Sequence, residues 1–219
     1  MIADVGSGTG ILSELFLKNG NRVFGVEPND EMRAAAESLL SRYPGFTSVA
    51  GRAEATTLGD GNVDFVTAGQ AFHWFDSAAA REEFARILKP RGQVVLAWNS
   101  PLDHATPFME AFERVYREYS TDRRPNQRGI MDETESIRAF FEPVGFRFRA
   151  FENTQPLDKE GLQGLLSSSS CMPAEGTPSA PEMLRAAAEV FDTYEHGGVV
   201  LLEYETRVYH GQAPPSASC

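Results

Sequence analysis

An apolar segment near the start of the chain runs directly into a loop of three glycines, and this feature limits the possible folds most. Residues 2–12 read IADVGSGTGIL, with Gly6, Gly8 and Gly10 at alternate positions. This pattern predicts a buried strand that turns through the glycines into a helix, whose positive end and bare N–H groups can approach a ligand. A dinucleotide site needs the spacing G-x-G-x-x-G, but here the third glycine comes one residue early and Ile11 takes its place. The loop therefore favours a ligand without a diphosphate.

An acid follows the second apolar segment of the chain. Residues 22–28 read RVFGVEP, so Glu27 ends a predicted strand, 17 residues after Gly10. In a nucleoside-binding sheet, a carboxylate at this strand end can accept hydrogen bonds from both ribose hydroxyls. Asp4, two residues before Gly6, places another acid beside the glycine loop.

Helix and strand patterns alternate through the first hundred residues, which predicts a parallel sheet with crossover helices. In the first helix, Ile11, Leu12, Leu15 and Phe16 are predicted to share one buried stripe. Asp76 is placed to cap a later helix.

The second half of the chain is less regular but keeps both kinds of pattern. Helical spacing covers residues 108–119 and 134–141, and a capping-box pattern opens a helix over 179–194. Residues 146–151 and 199–209 are candidate late strands. We expect an α/β core over 1–100, the remainder of the same domain with covering helices and late strands over 101–210, and a flexible tail over 211–219.

Further motifs follow in an order that is typical of one enzyme class. They are GRAE at 51–54, an apolar segment at 63–68, QAFHWFD at 70–76 and LKPRG at 88–92. With the glycine loop, they resemble the type 11 families of class I methyltransferases, and QAFHWFD resembles the trans-aconitate methyltransferase-like group. The resemblance is close over residues 2–99 and loose beyond them.

This resemblance implies a fold, a cofactor and a reaction. The fold would be α/β and Rossmann-like, with a mostly parallel seven-stranded sheet, an antiparallel edge hairpin and helical insertions. The cofactor would be S-adenosylmethionine, and its methyl group would pass to a small-molecule acceptor, with a carboxylate as the first candidate. Family members usually carry helical turns before the glycine loop, so we expect either a truncated start or a cover built from residues 105–180.

The resemblance also implies contacts of particular residues with the cofactor. Asp4 would hold the amino group of the cofactor through water, or alternatively brace the glycine loop. Pro28 and Met32 would pack on the adenine, with helix core as the alternative for Met32. Arg52 stands where the family often has an acid, so the Ala53 N–H would read the adenine. The predicted cofactor residues are Asp4, Gly6, Ser7, Gly8, Gly10, Glu27, Pro28, Met32, Ala53, Glu54, Gln70, Ala71 and Trp74.

The acceptor side has fewer candidates. His73 is the predicted catalytic residue, as a general base or by orienting a substrate oxygen, and a packing or hydrogen-bonding role is the alternative. A carboxylate acceptor is already ionised near pH 7 and needs no base. Arg123, Arg124 and Arg128 could draw in such an acceptor, or could form a solvated loop.

Composition argues against several other classes of partner. The 219 residues include 31 acidic and 20 basic side chains, with a net charge of −11. Nucleic acids and anionic membranes require a basic surface, so neither is expected as a partner. No apolar run reaches the ~20 residues that span a bilayer. Cys171 and Cys219 predict free thiols and a cytoplasmic location, and no cluster of ligands has the spacing of a metal site.

Two other functions stay open at this point. A nicotinamide-dependent oxidoreductase with an unusual glycine loop would keep the fold, although Ile11 and the lack of an obvious Tyr-x-x-x-Lys pair argue against it. A cofactor-binding pseudo-enzyme would keep the site but lose turnover.

Overall fold

The structure is a computed structural model that describes residues 1–103, 105–121, 133–169 and 171–213. The strands in these ranges are β1 Ile2–Val5, β2 Val23–Glu27, β3 Phe46–Ala50, β4 Val63–Gly69, β5 Leu88–Pro101, β6 Arg147–Leu157 and β7 Val200–Gln212. The helices are α1 Ile11–Lys18, α2 Asp30–Leu39, α3 Ser77–Ile87, α4 Pro107–Tyr119, α5 Glu133–Phe141, α6 Lys159–Ser167 and α7 Ser179–Tyr194, with a 3-10 turn at Phe72–Trp74.

The strands form one sheet in the order β3-β2-β1-β4-β5-β7-β6. Strands β1 to β5 pair in parallel, whereas β7 forms the antiparallel hairpin at the β6 edge. Helices α4 and α5 separate β5 from β6 along the chain, and α6 and α7 separate β6 from β7. The predicted Rossmann-like fold, with its mostly parallel sheet, edge hairpin and helical insertions, is confirmed.

The register of the central strands brings their functional ends together. Asp4 of β1 aligns with Gly25 of β2 and Thr67 of β4. The glycine loop therefore leaves β1 at the sheet edge where β2 ends at Glu27 and β4 ends at Gly69. Ligands of open α/β sheets bind outside the carboxyl ends of the strands, so a site is expected at this edge.

Strand β1 is buried at each of its positions. Ala3 and Val5 belong to the larger hydrophobic cluster of the sheet, whereas Ile2 belongs to a smaller cluster with Leu17 and Val23. Successive residues of a strand face opposite sides of the sheet. Apolar clusters on both faces explain why this segment shows no polar alternation.

The predicted apolar stripe of α1 is wrong at two positions. Ile11 and Leu15 are 78% and 59% exposed, whereas Ser13 and Leu17 are buried. The Ser13 hydroxyl donates a hydrogen bond to the Asp4 carboxylate at 2.6 Å, so a polar residue belongs to the inner face. Hydrophobic periodicity cannot detect an inner face that includes a hydrogen-bonded serine.

The chain forms two compact units. Unit 1 comprises Met1–Trp98, Met131–Ala150 and Arg207–Cys219, and unit 2 comprises Asn99–Ile130 and Phe151–Thr206. In the core of unit 1, the Phe72 ring meets the rings of Phe75, Trp98 and Phe140 edge to face. The core of unit 2 includes residues of α4, α6, α7 and β7.

The later elements follow most of the predicted pattern. Helices α4, α5 and α7 and strands β6 and β7 occur where helices and strands were expected, and β6 and β7 are longer. Helix α6, which has Asp158 as its N-cap, was not predicted. Helix α7 has Pro178 as its N-cap without a side-chain hydrogen bond, so the predicted capping box does not form. Within the described ranges, no helix has both the length and the apolar character needed to cross a membrane.

Candidate functional site

The loop after β1 has a backbone conformation that suits glycine. Gly6, Gly8 and Gly10 have φ angles of 67°, 55° and 87°, in the left-handed region where other residues are strained. The Gly6 and Ser7 amides donate to the Val26 carbonyl at 2.8 and 3.2 Å. These bonds attach the loop to the end of β2.

The glycine loop also lies against the chain that follows β4. A Cβ atom built on Gly6 would lie 2.7 Å from the Ala71 Cβ, which is closer than such atoms approach. Only glycine therefore allows this approach of the two segments.

Glu27 connects the glycine loop to the start of α2. Its Oε2 accepts a hydrogen bond from the Gly8 amide at 3.0 Å, and its Oε1 accepts one from the Asn29 amide at 3.0 Å. The residue is only 7% exposed. Each carboxylate oxygen has two lone pairs, so both oxygens keep acceptor capacity for a ligand. The predicted ribose-binding carboxylate is thus already oriented.

A cavity of about 800 Å³ opens at this edge of the sheet. It is lined by Gly6, Gly8, Glu27, Pro28, Met32, Arg52, Ala53, Glu54, Gly69, Gln70, Ala71, Trp74, Phe75, Asp76 and Ala79. All these residues belong to unit 1. Small-molecule sites commonly have volumes of about 300–1,000 Å³, so the cavity has the size of a ligand site.

Most of the predicted cofactor residues lie in this lining, and three do not. Asp4, Ser7 and Gly10 are outside it. A Cβ on Gly10 would lie 2.5 Å from the Leu40 Cδ1, so Gly10 packs against the end of α2. Gly10 therefore helps to shape the loop, and the cofactor contacts predicted for Asp4, Ser7 and Gly10 stay predictions.

Sequence reasoning gave no cofactor contact to several lining residues. They are Gly69, Asp76 and Ala79. The Asp76 Oδ1 accepts hydrogen bonds from the Ala78 and Ala79 amides at 3.1 and 3.2 Å and caps α3 as predicted. These two residues, Asp76 and Ala79, could have been predicted from the sequence, because a helix with an N-cap residue begins soon after a strand ends.

Asp4 lies beneath the glycine loop and is only 1% exposed. Its carboxylate accepts hydrogen bonds from the Ser13 hydroxyl at 2.6 Å and the Thr67 hydroxyl at 3.2 Å. Burial raises the pKa of Asp4 to about 6, although hydrogen bonds from Ser13 and Thr67 act in the opposite direction. These contacts favour the second interpretation of Asp4, in which the carboxylate braces the loop.

We expect Asp4→Asn to remove a pH dependence of stability. The folded protein binds the Asp4 proton more tightly than the unfolded chain, so wild-type stability falls as the pH rises from about 4 to about 6. The ionised, buried carboxylate then costs about 3 kcal/mol, whereas asparagine carries no such cost. Urea unfolding at several pH values should show the variant gaining this amount relative to wild type between about pH 4 and 7. If the free energy of unfolding depends on pH in the same way in both proteins, the expected titration of Asp4 is contradicted.

His73 does not line the cavity. Its side chain is exposed, and in the 3-10 turn the centroid of its ring lies 4.9 Å from the centroid of the Trp74 ring. The surrounding protein removes part of the hydration of the imidazole and lowers the pKa of His73. Trp74 itself lines the cavity. This placement favours the packing role of His73, by contact with a wall residue of the cavity.

The lining of the cavity is acidic. It contains the carboxylates of Glu27, Glu54 and Asp76, and Arg52 is the one cationic side chain in the lining that the structure describes. The Arg52 Nε lies 4.0 Å from the Glu54 Oε2, so these two charges partly compensate each other. The electrostatic field of the remaining carboxylates favours a cationic ligand.

Other predicted features lie outside the described ranges or away from the cavity. Arg123, Arg124, Arg128 and Cys219 are outside the described residues, and Cys171 is a free thiol in unit 2. Across the described ranges, no group of His, Cys, Asp and Glu side chains could hold a metal ion.

Comparison with known families identifies the part of the chain that builds this edge. Residues 3–96, from β1 into β5, match the methyltransferase domain family. The lining residues of the cavity all fall within this matched segment.

Two relatives show how far the likeness extends. A methyltransferase-like protein of Schizosaccharomyces pombe is 27% identical over 223 residues, which cover 99% of this chain and 83% of that protein. A methyltransferase of Mycobacterium bovis is 38% identical over 99 residues, which cover 45% of this chain and 40% of that protein. The matched part is thus less than half of the mycobacterial relative.

Solved structures show the same fold. A protein of Anaeromyxobacter dehalogenans, described as a type II methyltransferase, is 21% identical with a TM-score of 0.69, covering 98% of this chain and 90% of its own. A geranyl diphosphate methyltransferase, solved in complex with S-adenosylmethionine, is 14% identical with a TM-score of 0.51, covering 97% and 77%. At these identities, the likeness concerns the fold.

The matched domain, the relatives and the fold all indicate a methyltransferase. The comparisons do not support the nicotinamide oxidoreductase that the glycine loop had left open. They do not reach the trans-aconitate methyltransferase-like group, so that narrower resemblance stays a prediction.

Proposed function

We propose that this methyltransferase binds S-adenosylmethionine in the cavity of unit 1 and transfers its methyl group to a small molecule. The observation that carries the proposal is the Glu27 carboxylate, which is bonded to the Gly8 amide and lines a cavity of about 800 Å³. Glu27 thus places a carboxylate that could accept the ribose hydroxyls directly beside the glycine loop. The solved geranyl diphosphate methyltransferase with S-adenosylmethionine adds support at the level of the fold.

The adenosine would lie between the end of β2 and the segment after β3. Glu27 would accept hydrogen bonds from the ribose hydroxyls, and Pro28 and Met32 would pack on the adenine. The Ala53 amide donates no hydrogen bond to the described part of the chain, so it is available to an adenine nitrogen. Glu54, beside it, would define the edge of the adenine site.

The methionine part would lie near the glycine loop and the end of β4. Gly6 and Gly8 allow close approach of a ligand, and Gln70 and Ala71 line the same part of the cavity. Trp74 supplies an exposed aromatic face, which attracts a cation. With the acidic lining, this face suits the positive sulfonium.

Bound in this cavity, S-adenosylmethionine would supply an electrophilic methyl group to the acceptor, and its sulfur would keep the electron pair of the broken carbon–sulfur bond. The chain contributes by orienting both reactants in line, and effective molarity from such orientation can supply most of the rate enhancement. Glu27 and the glycine loop would fix the cofactor for this geometry.

We also propose a carboxylate as the acceptor. The described lining of the cavity contains no histidine, lysine or cysteine, and its carboxylates, Glu27, Glu54 and Asp76, already accept hydrogen bonds from backbone amides. A carboxylate is already ionised at pH 7 and needs no proton removed. The resemblance of residues 70–76 to the trans-aconitate methyltransferase-like group supports the same acceptor class.

Calorimetry with S-adenosylmethionine, S-adenosylhomocysteine and NADH tests the cofactor proposal. We expect both adenosyl compounds to bind and NADH not to bind, because the loop spacing does not suit a diphosphate. Binding of NADH alone would overturn the assignment.

A transfer assay with labelled S-adenosylmethionine tests the acceptor. A panel of small carboxylic acids and matched alcohols should give labelled, base-labile esters from the acids only. Label transfer to alcohols alone would refute the carboxylate class, and binding without any product would indicate a pseudo-enzyme.

A further inference from the structure

One wall of the cavity is a loop whose conformation depends on contacts with other elements. This wall loop, residues 51–58, contributes Arg52, Ala53 and Glu54 to the lining. Reciprocal backbone hydrogen bonds join Arg52 and Ala55 at 3.2 and 3.0 Å. Thr57 has a φ of 65°, which a β-branched residue seldom adopts. The surrounding structure must therefore hold the loop in this form.

The start of α3 forms the neighbouring part of the wall. Asp76 and Ala79 line the cavity there. The Glu54 Oε1 accepts a hydrogen bond from the Asp76 amide at 2.8 Å, so a lining residue of the wall loop binds the N-cap residue of the helix. This is the first of two carboxylate links between the loop and α3.

Glu83 makes the second link from behind the wall. It belongs to α3, is 9% exposed and does not line the cavity. Its Oε1 accepts hydrogen bonds from the Thr56 amide at 2.8 Å and the Thr56 hydroxyl at 2.5 Å. The same hydroxyl accepts a hydrogen bond from the Leu58 amide at 3.3 Å. One buried carboxylate thus holds the end of the wall loop.

Arg86 keeps Glu83 in this position. Its Nε and Nη2 donate to the two oxygens of Glu83 at 2.8 and 2.7 Å. The Nη2 also donates to the Leu58 carbonyl at 2.8 Å, and the Nη1 to Asp60. Burial would raise the pKa of Glu83, but hydrogen bonds from Arg86 and Thr56 outweigh it and lower the pKa, so Glu83 stays ionised at neutral pH.

We propose that Glu83 is a positioning residue for S-adenosylmethionine, which holds Ala53 and Glu54 of the wall loop in the binding conformation through Thr56. This inference rests on the proposed function. Without Glu83, the loop samples other conformations, and the ligand must order it on binding. Removal of Glu83 therefore lowers the affinity for S-adenosylmethionine, whereas the rate of methyl transfer in the saturated enzyme is unaffected.

The test compares S-adenosylhomocysteine affinity in Glu83→Ala, Glu83→Gln and wild type. Glu83→Ala should raise Kd about tenfold, and Glu83→Gln, which keeps an oxygen for Thr56, about threefold or less. Hydrogen exchange should rise over residues 51–58 in Glu83→Ala and return toward the wild-type rate with ligand. KM for S-adenosylmethionine should rise, and kcat at saturation should stay within about twofold.

Glu113→Ala is the matched control. Glu113 is a buried glutamate of α4 in unit 2, and its Oε1 accepts a hydrogen bond from the Arg117 Nε one turn later at 2.5 Å. It does not line the cavity. This variant should lose stability without a change in Kd, which separates positioning from general destabilisation. Thr56→Val removes the hydroxyl hydrogen bonds with Glu83 and Leu58 and keeps the bond from the Thr56 amide to Glu83. It should raise Kd about threefold and serves if Glu83→Ala does not fold.

The outcomes are separable. If wild type binds S-adenosylhomocysteine and folded Glu83→Ala or Thr56→Val binds it equally well, the role of Glu83 is refuted and the proposed function stands. If Kd rises as much in Glu113→Ala, the effect is general and the role of Glu83 is also refuted. If wild type binds neither adenosyl compound, the proposed function fails and this inference fails with it.

Discussion

Replacing Glu27 with alanine is expected to weaken S-adenosylhomocysteine binding by about a hundredfold or more. In the proposed complex, the carboxylate accepts two ribose hydroxyls, and hydrogen bonds to charged groups contribute about 1.5–3 kcal/mol each. The change also frees the Gly8 and Asn29 amides, which donate to Glu27 at 3.0 Å in the wild type. Isothermal titration calorimetry on folded protein measures the change in Kd.

Two variants make this result specific. Glu27→Gln keeps one acceptor oxygen, but its amide group cannot accept from the second backbone N–H, so an intermediate loss is expected. Glu14→Ala removes a carboxylate of α1 that accepts from Lys18 and Arg42 and does not line the cavity. It should leave Kd unchanged. Near wild-type binding by Glu27→Ala would exclude the ribose role.

Gly6→Ala is expected to destabilise the fold by about 3 kcal/mol and to abolish detectable cofactor binding. A left-handed φ of 67° costs an L-residue about 1–2 kcal/mol, and the added Cβ lies 2.7 Å from the Ala71 Cβ. Relief of that overlap must move either the glycine loop or Ala71, and both line the cavity. Urea unfolding and calorimetry measure the two losses.

Gly20→Ala provides the control for backbone strain alone. Gly20 has a φ of 81°, but a Cβ there would meet nothing within 4 Å. Its cost should be about 1 kcal/mol, with cofactor binding unchanged. Equal destabilisation by the two variants would show that the approach of Ala71 contributes nothing. Normal binding by Gly6→Ala would show that the site tolerates a different loop shape.

The parts of the site that sequence could predict are those that follow a strand end. Gly6, Gly8 and Glu27 were predicted because a loop after β1 and an acid at the end of β2 must meet at one edge of a parallel sheet. The structure places all three in the cavity lining. Pro28 and Gln70 line it for the same reason.

Other contacts could not be predicted, because they depend on how distant elements pack. Asp4 was predicted either to hold the cofactor through water or to brace the loop, and its carboxylate accepts hydrogen bonds from Ser13 and from Thr67, which lies 63 positions away. His73 was predicted either as the catalytic residue or as a packing residue, and a short turn places Trp74 in the lining and His73 outside it. Spacing along a chain does not specify which side of a turn faces a cavity.

Local spacing alone determined the glycine loop, the cap of α3 at Asp76 and the strand–helix alternation, because these depend on residues a few positions apart. The tertiary structure alone decided that Ile11 is exposed and Ser13 buried, and that Glu83 holds Thr56 from 27 positions away. A buried polar residue must find hydrogen-bond partners, and its partners become neighbours only after the chain has folded.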